Sequence, residues 1–263
     1  MAARRRPLIA LLSDFGTRDW YVGSLKAVIL SRCPDARLLD ITHEIPPYDV
    51  AAGAFTLAAV APYVPDGAIV ACVVDPGVGT ARALLAVRTE RHTFLGPDNG
   101  LLSLALDQAR RRRIVRLDRP AYWLPRVSRT FHGRDIVAPV AAYLASGGSL
   151  ARLGPVQAGY QLLPLPRLRL GSDRMQGCVL HIDAFGNLIT NLPASLATRR
   201  PPGEIRYQRR TVPVVSSYGS GPRGRLCAVV GGAGYLELAL YRGSAARRYR
   251  AKVGDRVEWH ARG

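Results

Sequence analysis

The sequence predicts an α/β domain built on a mostly parallel sheet, followed by a smaller all-β domain. Residues 7–150 alternate short β-rich runs with helical patterns, the order expected of βαβ units with helices on both sheet faces. From Gln176 onward the apolar period falls to two, with Gly, Pro and Ser between the runs, which describes a small antiparallel barrel or sandwich. Between the two, Gly147-Gly148 closes the last helical pattern, and Pro155, Pro164 and Pro166 punctuate a stretch without a period. The expected division is residues 1–154, a linker at 155–175 and residues 176–263.

The first strand is the apolar run Pro7–Ser13. It is far shorter than the roughly 18 residues needed to cross a bilayer and meets Ser13-Asp14 without a small-residue cleavage site, so a soluble cytoplasmic protein is expected. Further strands are expected at Arg37–Ile41, Ala68–Val74, Ala83–Thr89, His92–Leu95 and Ile114–Leu117, where β-branched and apolar residues cluster between turn formers. Helical patterns fall near Tyr21–Ser31, Val50–Val60, Leu101–Gln108 and Asp135–Ala145. In the second domain strands are expected around Val179–Ile182, Thr211–Val215, Leu226–Val230, Tyr235–Tyr241 and Val253–Trp259.

The chain has 263 residues, 48% hydrophobic and 21% charged, a globular composition that excludes a disordered tail protein. Thirty-seven basic against 19 acidic residues give a net charge of +18. Lys26 and Lys252 are the only lysines, and the arginines are scattered in short clusters without a zinc-finger, RNP-strand or helix-turn-helix pattern, so a nucleic-acid partner is not expected. Cys33, Cys72, Cys178 and Cys227 lie far apart, which indicates neither a disulfide framework nor a zinc site. The other histidines, His43, His92, His181 and His260, show no metal-ligand spacing; there is no GxSxG or P-loop, and no GxGxxG follows strand one. No metal or cofactor is expected.

In an open α/β sheet, ligands bind outside the carboxyl ends of the strands, so polar residues directly after a strand are the first candidates. Asp14, after strand one, offers a carboxylate to ribose hydroxyls or caps a turn. Asp75 and Arg82 are seven residues apart across the Gly-rich turn Asp75-Pro76-Gly77-Val78-Gly79-Thr80, where a hairpin-like return brings them together or leaves a turn-capping Asp and a surface Arg. His132 lies just before a helix, which favours a neutral imidazole. His181-Ile182-Asp183-Ala184-Phe185-Gly186-Asn187 at a strand end reads as a base-stacking cup or an ordinary Asx turn.

Taken together, Leu12-Ser13-Asp14-Phe15-Gly16, Asp19-Trp20-Tyr21-Val22-Gly23, Asp40-Ile41-Thr42-His43, the Asp75 turn with Arg82, Gly96-Pro97-Asp98-Asn99-Gly100, Phe131-His132-Gly133-Arg134-Asp135, Ile182–Asn187 and Gly234-Tyr235-Leu236-Glu237 resemble the S-adenosyl-L-methionine hydroxide adenosyltransferase family, relatives of the fluorinating and chlorinating adenosyl transferases. The resemblance spans nearly the whole chain. It implies a Rossmann-like N-terminal domain, a β-barrel C-terminal domain and a homotrimer with substrate bound between subunits. The implied activity is hydrolysis of S-adenosyl-L-methionine to adenosine and L-methionine; a halogenase of the same fold and a non-catalytic adenosine-binding protein are the alternatives.

Carried over by position, the resemblance makes Asp75, Arg82 and His132 the groups that position and activate water. Asp14 would bind the ribose, Tyr48 would flank the ligand, Asp183 would meet the methionine amino group, and Phe185, Asn187, Glu237 and the backbone near Leu240 would surround the adenine. Halogenating members carry Tyr at the positions of Asp75 and His132, Ser at that of Gly133, and a long insertion after the Asp75 turn; this sequence has none of these. It also departs from the family in having Gly231-Gly232-Ala233 where serines usually hold the methionine carboxylate.

Overall fold

The computed structural model describes residues 6–107, 109–164, 168–171, 173–198 and 204–261. The chain divides into two compact units, Met1–Leu163 and Pro164–Gly263. The first holds strands β1 (Leu8–Ser13), β2 (Arg37–Thr42), β3 (Ile69–Val73), β4 (Leu84–Arg88), β5 (Thr93–Pro97) and β6 (Arg113–Arg116), with helices α1 (Tyr21–Arg32), α2 (Val50–Val60), α3 (Ser103–Asp107) and α4 (Ala138–Ala145).

The sheet runs β2-β1-β3-β5-β4-β6. β1 alternates between two cores: Ile9 and Leu11 pack with α1 and α4 residues such as Leu25, Ile29 and Val140, while Ala10 and Leu12 pack with Leu57 of α2 and Leu101. Burial on both faces explains why the strand reads as one apolar run rather than an alternation. Because the chain leaves β1 for β2 on one side and returns to β3 on the other, the gap between the carboxyl ends of β1 and β3 is the switch point where such sheets bind ligands.

One strand departs from a chain of βαβ units. β4 is antiparallel to β5 and β6, whereas β1, β2, β3 and β5 are mutually parallel. Residues 74–83 hold no helix and cannot make the crossover that a parallel neighbour needs, so β4 runs back and turns tightly into β5 through the Thr89 amide and the His92 carbonyl, 2.9 Å apart. Beyond α4, the Arg116 amide donates to Pro155 O and the Gln157 amide to Ile114 O, so this stretch packs along β6.

The second unit holds β7 (Arg169–Leu170), β8 (Arg174–Ile182), β9 (Leu188–Pro193), β10 (Glu204–Tyr207), β11 (Arg210–Val212), β12 (Leu226–Val230), β13 (Tyr235–Leu240), the short helix α5 (Ala245–Tyr249) and β14 (Arg256–His260). The antiparallel order is β11-β10-β14-β8-β9-β13-β12, with β7 on β8, and a bridge from Val214 to Ala228 brings the chain after β11 against β12. The sheet is therefore a nearly closed barrel rather than a sandwich, filled by Val179, Leu188, Tyr207, Leu236 and Trp259. β9 and β10 were not expected from the sequence. β9 carries Thr190 and Asn191 inside its apolar pattern; the Thr190 hydroxyl donates to Leu236 O at 2.7 Å, and Asn191 Oδ1 accepts from the Cys178 amide at 2.7 Å. Among the described residues no helix is long and apolar enough to cross a membrane.

Candidate active site

The β1–β3 switch point opens into a cleft of about 400 Å³ whose lining includes Asp14, Tyr48, Asp75, Phe131 and His132. Asp75 follows β3 and begins the turn expected from its glycines. Gly79 sits at φ +80°, and a Cβ there would fall 2.3 Å from Arg129 O, so this close approach requires glycine. The turn returns Arg82 onto Asp75. Arg82 Nε donates to Asp75 Oδ1 at 2.9 Å, and Nη2 meets Oδ2, in a pair whose side chains are only 11% and 5% exposed. Arg82 Nη2 also lies 3.0 Å from His132 Nδ1.

An arginine only donates, so His132 Nδ1 is the acceptor and the neutral ring carries its proton on Nε2. Burial, and then the Arg82 charge, hold the His132 pKa below the ordinary histidine value. The ring precedes a π-helical turn, Gly133–Val137, that leads into α4. Buried Asp135 fixes the approach: it accepts from the Ser128 amide at 2.8 Å and from Arg134 Nε at 2.6 Å, and its carbonyl accepts from the Leu124 amide. Burial alone would raise the Asp135 pKa, but the Arg134 and Ser128 hydrogen bonds outweigh it and leave it lowered. Gly133 is tight, since a Cβ there would stand 3.3 Å from Phe15 Cζ and 3.4 Å from Val73.

Asp14 is half-buried, and its Oδ2 accepts from the Tyr48 amide at 2.9 Å. Burial raises its pKa, and the Tyr48 hydrogen bond offsets this only in part. Tyr48 itself has φ +67°, a left-handed conformation unusual for an aromatic residue, and its side chain is 73% exposed beside the cleft. Phe15, Tyr21 and Phe131 belong to the motifs named above, but no role for them is evident in the sequence. They form a mutually tilted aromatic wall, with Phe131 5.4 Å from Phe15 and 5.2 Å from Tyr21 between ring centroids. The signal available was three aromatics beside strand-end polar residues.

In the second unit, the segment after β8 is a tight Asx turn: Asp183 Oδ1 accepts from the Phe185 and Asn187 amides, and Oδ2 from Asn187 Nδ2. Three of its roughly four acceptor positions are thus used locally. Phe185 projects from the turn, 80% exposed. Glu237 on β13 is buried and accepts from the Tyr218 hydroxyl at 2.6 Å, a partner not anticipated from sequence. Burial and then Glu237 raise the Tyr218 pKa. Leu240 closes β13, and its carbonyl accepts from the Gly243 amide. The Gly231-Gly232-Ala233 departure has a steric side: a Cβ on Gly231 would fall 2.0 Å from Glu237 Oε1, whereas Gly232 faces open space. No cluster of three or more His, Cys, Asp or Glu with metal-binding geometry occurs among the described residues.

Residues 9–154 match the family model of the SAM hydroxide adenosyltransferase N-terminal domain, and residues 177–258 match that of the C-terminal domain. The chain is 43% identical to the (R)-S-adenosyl-L-methionine hydrolase of Thermus thermophilus, over 94% of this chain and 96% of that one. A fluorinase of Nocardia brasiliensis is a more distant relative, 28% identical over 97% of each chain. The crystal structure of an uncharacterized conserved protein from Thermotoga maritima superposes with a TM-score of 0.89 at 33% identity, covering 97% of this chain and all of that one. With its strand-end site, both of its units and its relatives in agreement, the chain belongs to the SAM hydroxide adenosyltransferase family.

Proposed function

We infer that this protein hydrolyses S-adenosyl-L-methionine to adenosine and L-methionine, and, following the name of its Thermus relative, that it takes the (R) epimer at sulfur. The observation that carries this reading is the Arg82 guanidinium joined at once to Asp75 and His132 at the switch-point cleft. The substrate supplies its own leaving group, because attack at C5′ releases a neutral thioether from a sulfonium. The protein's task is therefore the nucleophile. Free hydroxide is out of reach for a carboxylate, since water is a weaker acid than an aspartic acid by about twelve orders of magnitude. Asp75 instead accepts a proton from water as the C5′–O bond forms and the C5′–S bond breaks, and that proton leaves to solvent.

Arg82 fixes the Asp75 carboxylate from one side and, through Nδ1, holds the His132 ring beside the water. Asp14 holds the ribose hydroxyls and Tyr48 flanks the ligand. Because attack on a cation by a developing hydroxide neutralises charge, a dehydrated cleft favours the transition state. Asp183, Phe185, Asn187, Glu237 and the backbone near Leu240 hold the methionine amino group and the adenine. The test is product identification by mass spectrometry with each resolved sulfur epimer, with and without chloride. Adenosine and methionine from the (R) epimer support the reading; 5′-chloroadenosine, or binding without turnover, overturns it.

We further propose a homotrimer in which the adenine-side residues of one subunit complete the Asp14–Asp75 cleft of a neighbour. Support comes from the family resemblance and from the location of these residues in different compact units. A head-to-tail interface repeated about a threefold axis closes without loose ends. Mixing inactive Asp75→Asn and Asn187→Ala chains under subunit exchange should regenerate some intact sites. An active monomer by light scattering, or mixed trimers without activity, refutes the assembly.

A further inference from the structure

The segments after β1 and β2 are tied together more densely than a solvent-facing loop pair requires, and the ties converge on a buried histidine. His43 Nδ1 lies 2.7 Å from Ser13 Oγ, and Nε2 lies 3.1 Å from Asp40 Oδ1. Asp40 Oδ2 accepts in turn from Lys26 Nζ at 2.6 Å on α1. The His43 carbonyl accepts from the Gly16 amide at 2.7 Å. One residue further, Glu44 Oε1 accepts from the Thr17 hydroxyl at 3.0 Å. Ser13 and His43 are 2% and 4% exposed, so neither reaches a ligand in the cleft.

The directions of these bonds follow from the donor inventory. Ionised Asp40 accepts from Lys26 and from His43 Nε2–H, which leaves His43 Nδ1 to accept the Ser13 proton. Ser13 Oγ is then free to accept from the Phe15 amide at 3.4 Å. The flanking residues are the ones that matter for ligand: Asp14 stands between Ser13 and Phe15, and its carboxylate receives the Tyr48 amide from the far end of the second segment. A chain of oriented hydrogen bonds thus runs from a surface lysine to the turn carrying Asp14.

We propose that His43, with Ser13 and Asp40 on either side, is a positioning residue that sets the Asp14 carboxylate and the left-handed Tyr48 backbone for adenosine binding. Buried networks of this kind are retained when they hold one arrangement against alternatives, since two apolar residues would fill the same space without an unsatisfied donor. The proposal rests on the adenosine reading of Asp14 given above. It predicts a binding defect, because the network touches the ribose-side residue and not the Asp75–Arg82–His132 group.

The test uses the intact chain and two readouts. Ser13→Ala and His43→Ala should each raise the adenosine Kd and the substrate KM by about tenfold or more while kcat stays within about threefold. The double variant should add little to the larger single effect, because the two residues share one interaction. His43→Asn, whose amide reaches the place of Nδ1, should recover most of the loss. Independently of ligand, hydrogen exchange at the Gly16 and Tyr48 amides should quicken in both alanine variants. Kd and exchange within twofold of the parent overturn the proposal, as does kcat falling in step with KM with no recovery in His43→Asn. If His43→Ala does not fold, Ser13→Ala carries the test. If the parent protein binds no adenosine, the functional reading fails, and the exchange data alone decide whether His43 positions this turn.

Discussion

Replacing Asp75 by Asn should separate chemistry from binding at this site. The carboxylate is nearly buried, and both oxygens meet Arg82, so the substitution leaves a buried guanidinium facing a neutral amide. Deleting one partner of a buried pair costs about 3–5 kcal/mol, but the amide oxygen of Asn still accepts one bond. The expected loss is nearer the worth of one charge-assisted hydrogen bond, roughly 2–3 kcal/mol. For a unit of this size that corresponds to about 4–12 °C in Tm. Turnover should fall further, by about 10²–10⁴, as expected when a positioned general base is removed. Adenosine affinity by calorimetry should change by less than about threefold, because the lost interaction develops in the transition state. If the variant folds and retains kcat within threefold, or loses adenosine binding as steeply as turnover, Asp75 is not the base.

Asp14→Asn should do the reverse: the native carboxylate has a raised pKa and a burial cost at neutral pH that the amide lacks, so stability at pH 7 holds or rises while adenosine Kd increases about 10–100-fold from lost charged hydrogen bonds. His132 has the opposite sign. With its folded pKa below the unfolded value of 6.5, the unfolded chain binds more protons between the two, so this contribution to stability is full above pH 6.5 and is lost as the pH falls through the folded pKa. Chemical denaturation at stepped pH should show that slope reduced in His132→Gln. Gly133→Ser should cost about 1–3 kcal/mol, read as a lower Tm, because its Cβ presses on Phe15 and Val73. Activity should survive dialysis against EDTA, since the sulfonium needs no Lewis acid and no metal-ligand cluster stands among the described residues; a loss restored by a divalent ion contradicts this.

Where the sequence spoke through period and chain order, it was legible. Strand ends near Ser13 and Val74 and the Gly-rich turn after Asp75 followed from apolar runs and glycine placement; the return of Arg82 onto Asp75 was one of two readings of that turn, and the structure decides it by pairing the two side chains. The reversal of β4 was hidden because direction depends on what the intervening segment can hold, not on the strand's own residues. β9 was obscured by Thr190 and Asn191, polar side chains whose bonds to Leu236 and Cys178 exist only once the barrel has formed. Tyr218 lies in a Ser/Gly-rich stretch with no period, and only three-dimensional pairing reveals that it meets Glu237. The same holds for His43, a histidine without metal spacing whose two ring nitrogens find partners only because Ser13 and Asp40 stand on either side of it.

The proposed reaction has water, activated beside Asp75, attack C5′ of the sulfonium substrate. Turnover of the (R) epimer in ¹⁸O-enriched water tests it most directly, with both products analysed by mass spectrometry. Adenosine should carry one ¹⁸O, at the 5′-hydroxyl, and methionine should be unlabelled. Unlabelled adenosine, label in methionine, or a product carrying halide at C5′ contradicts it.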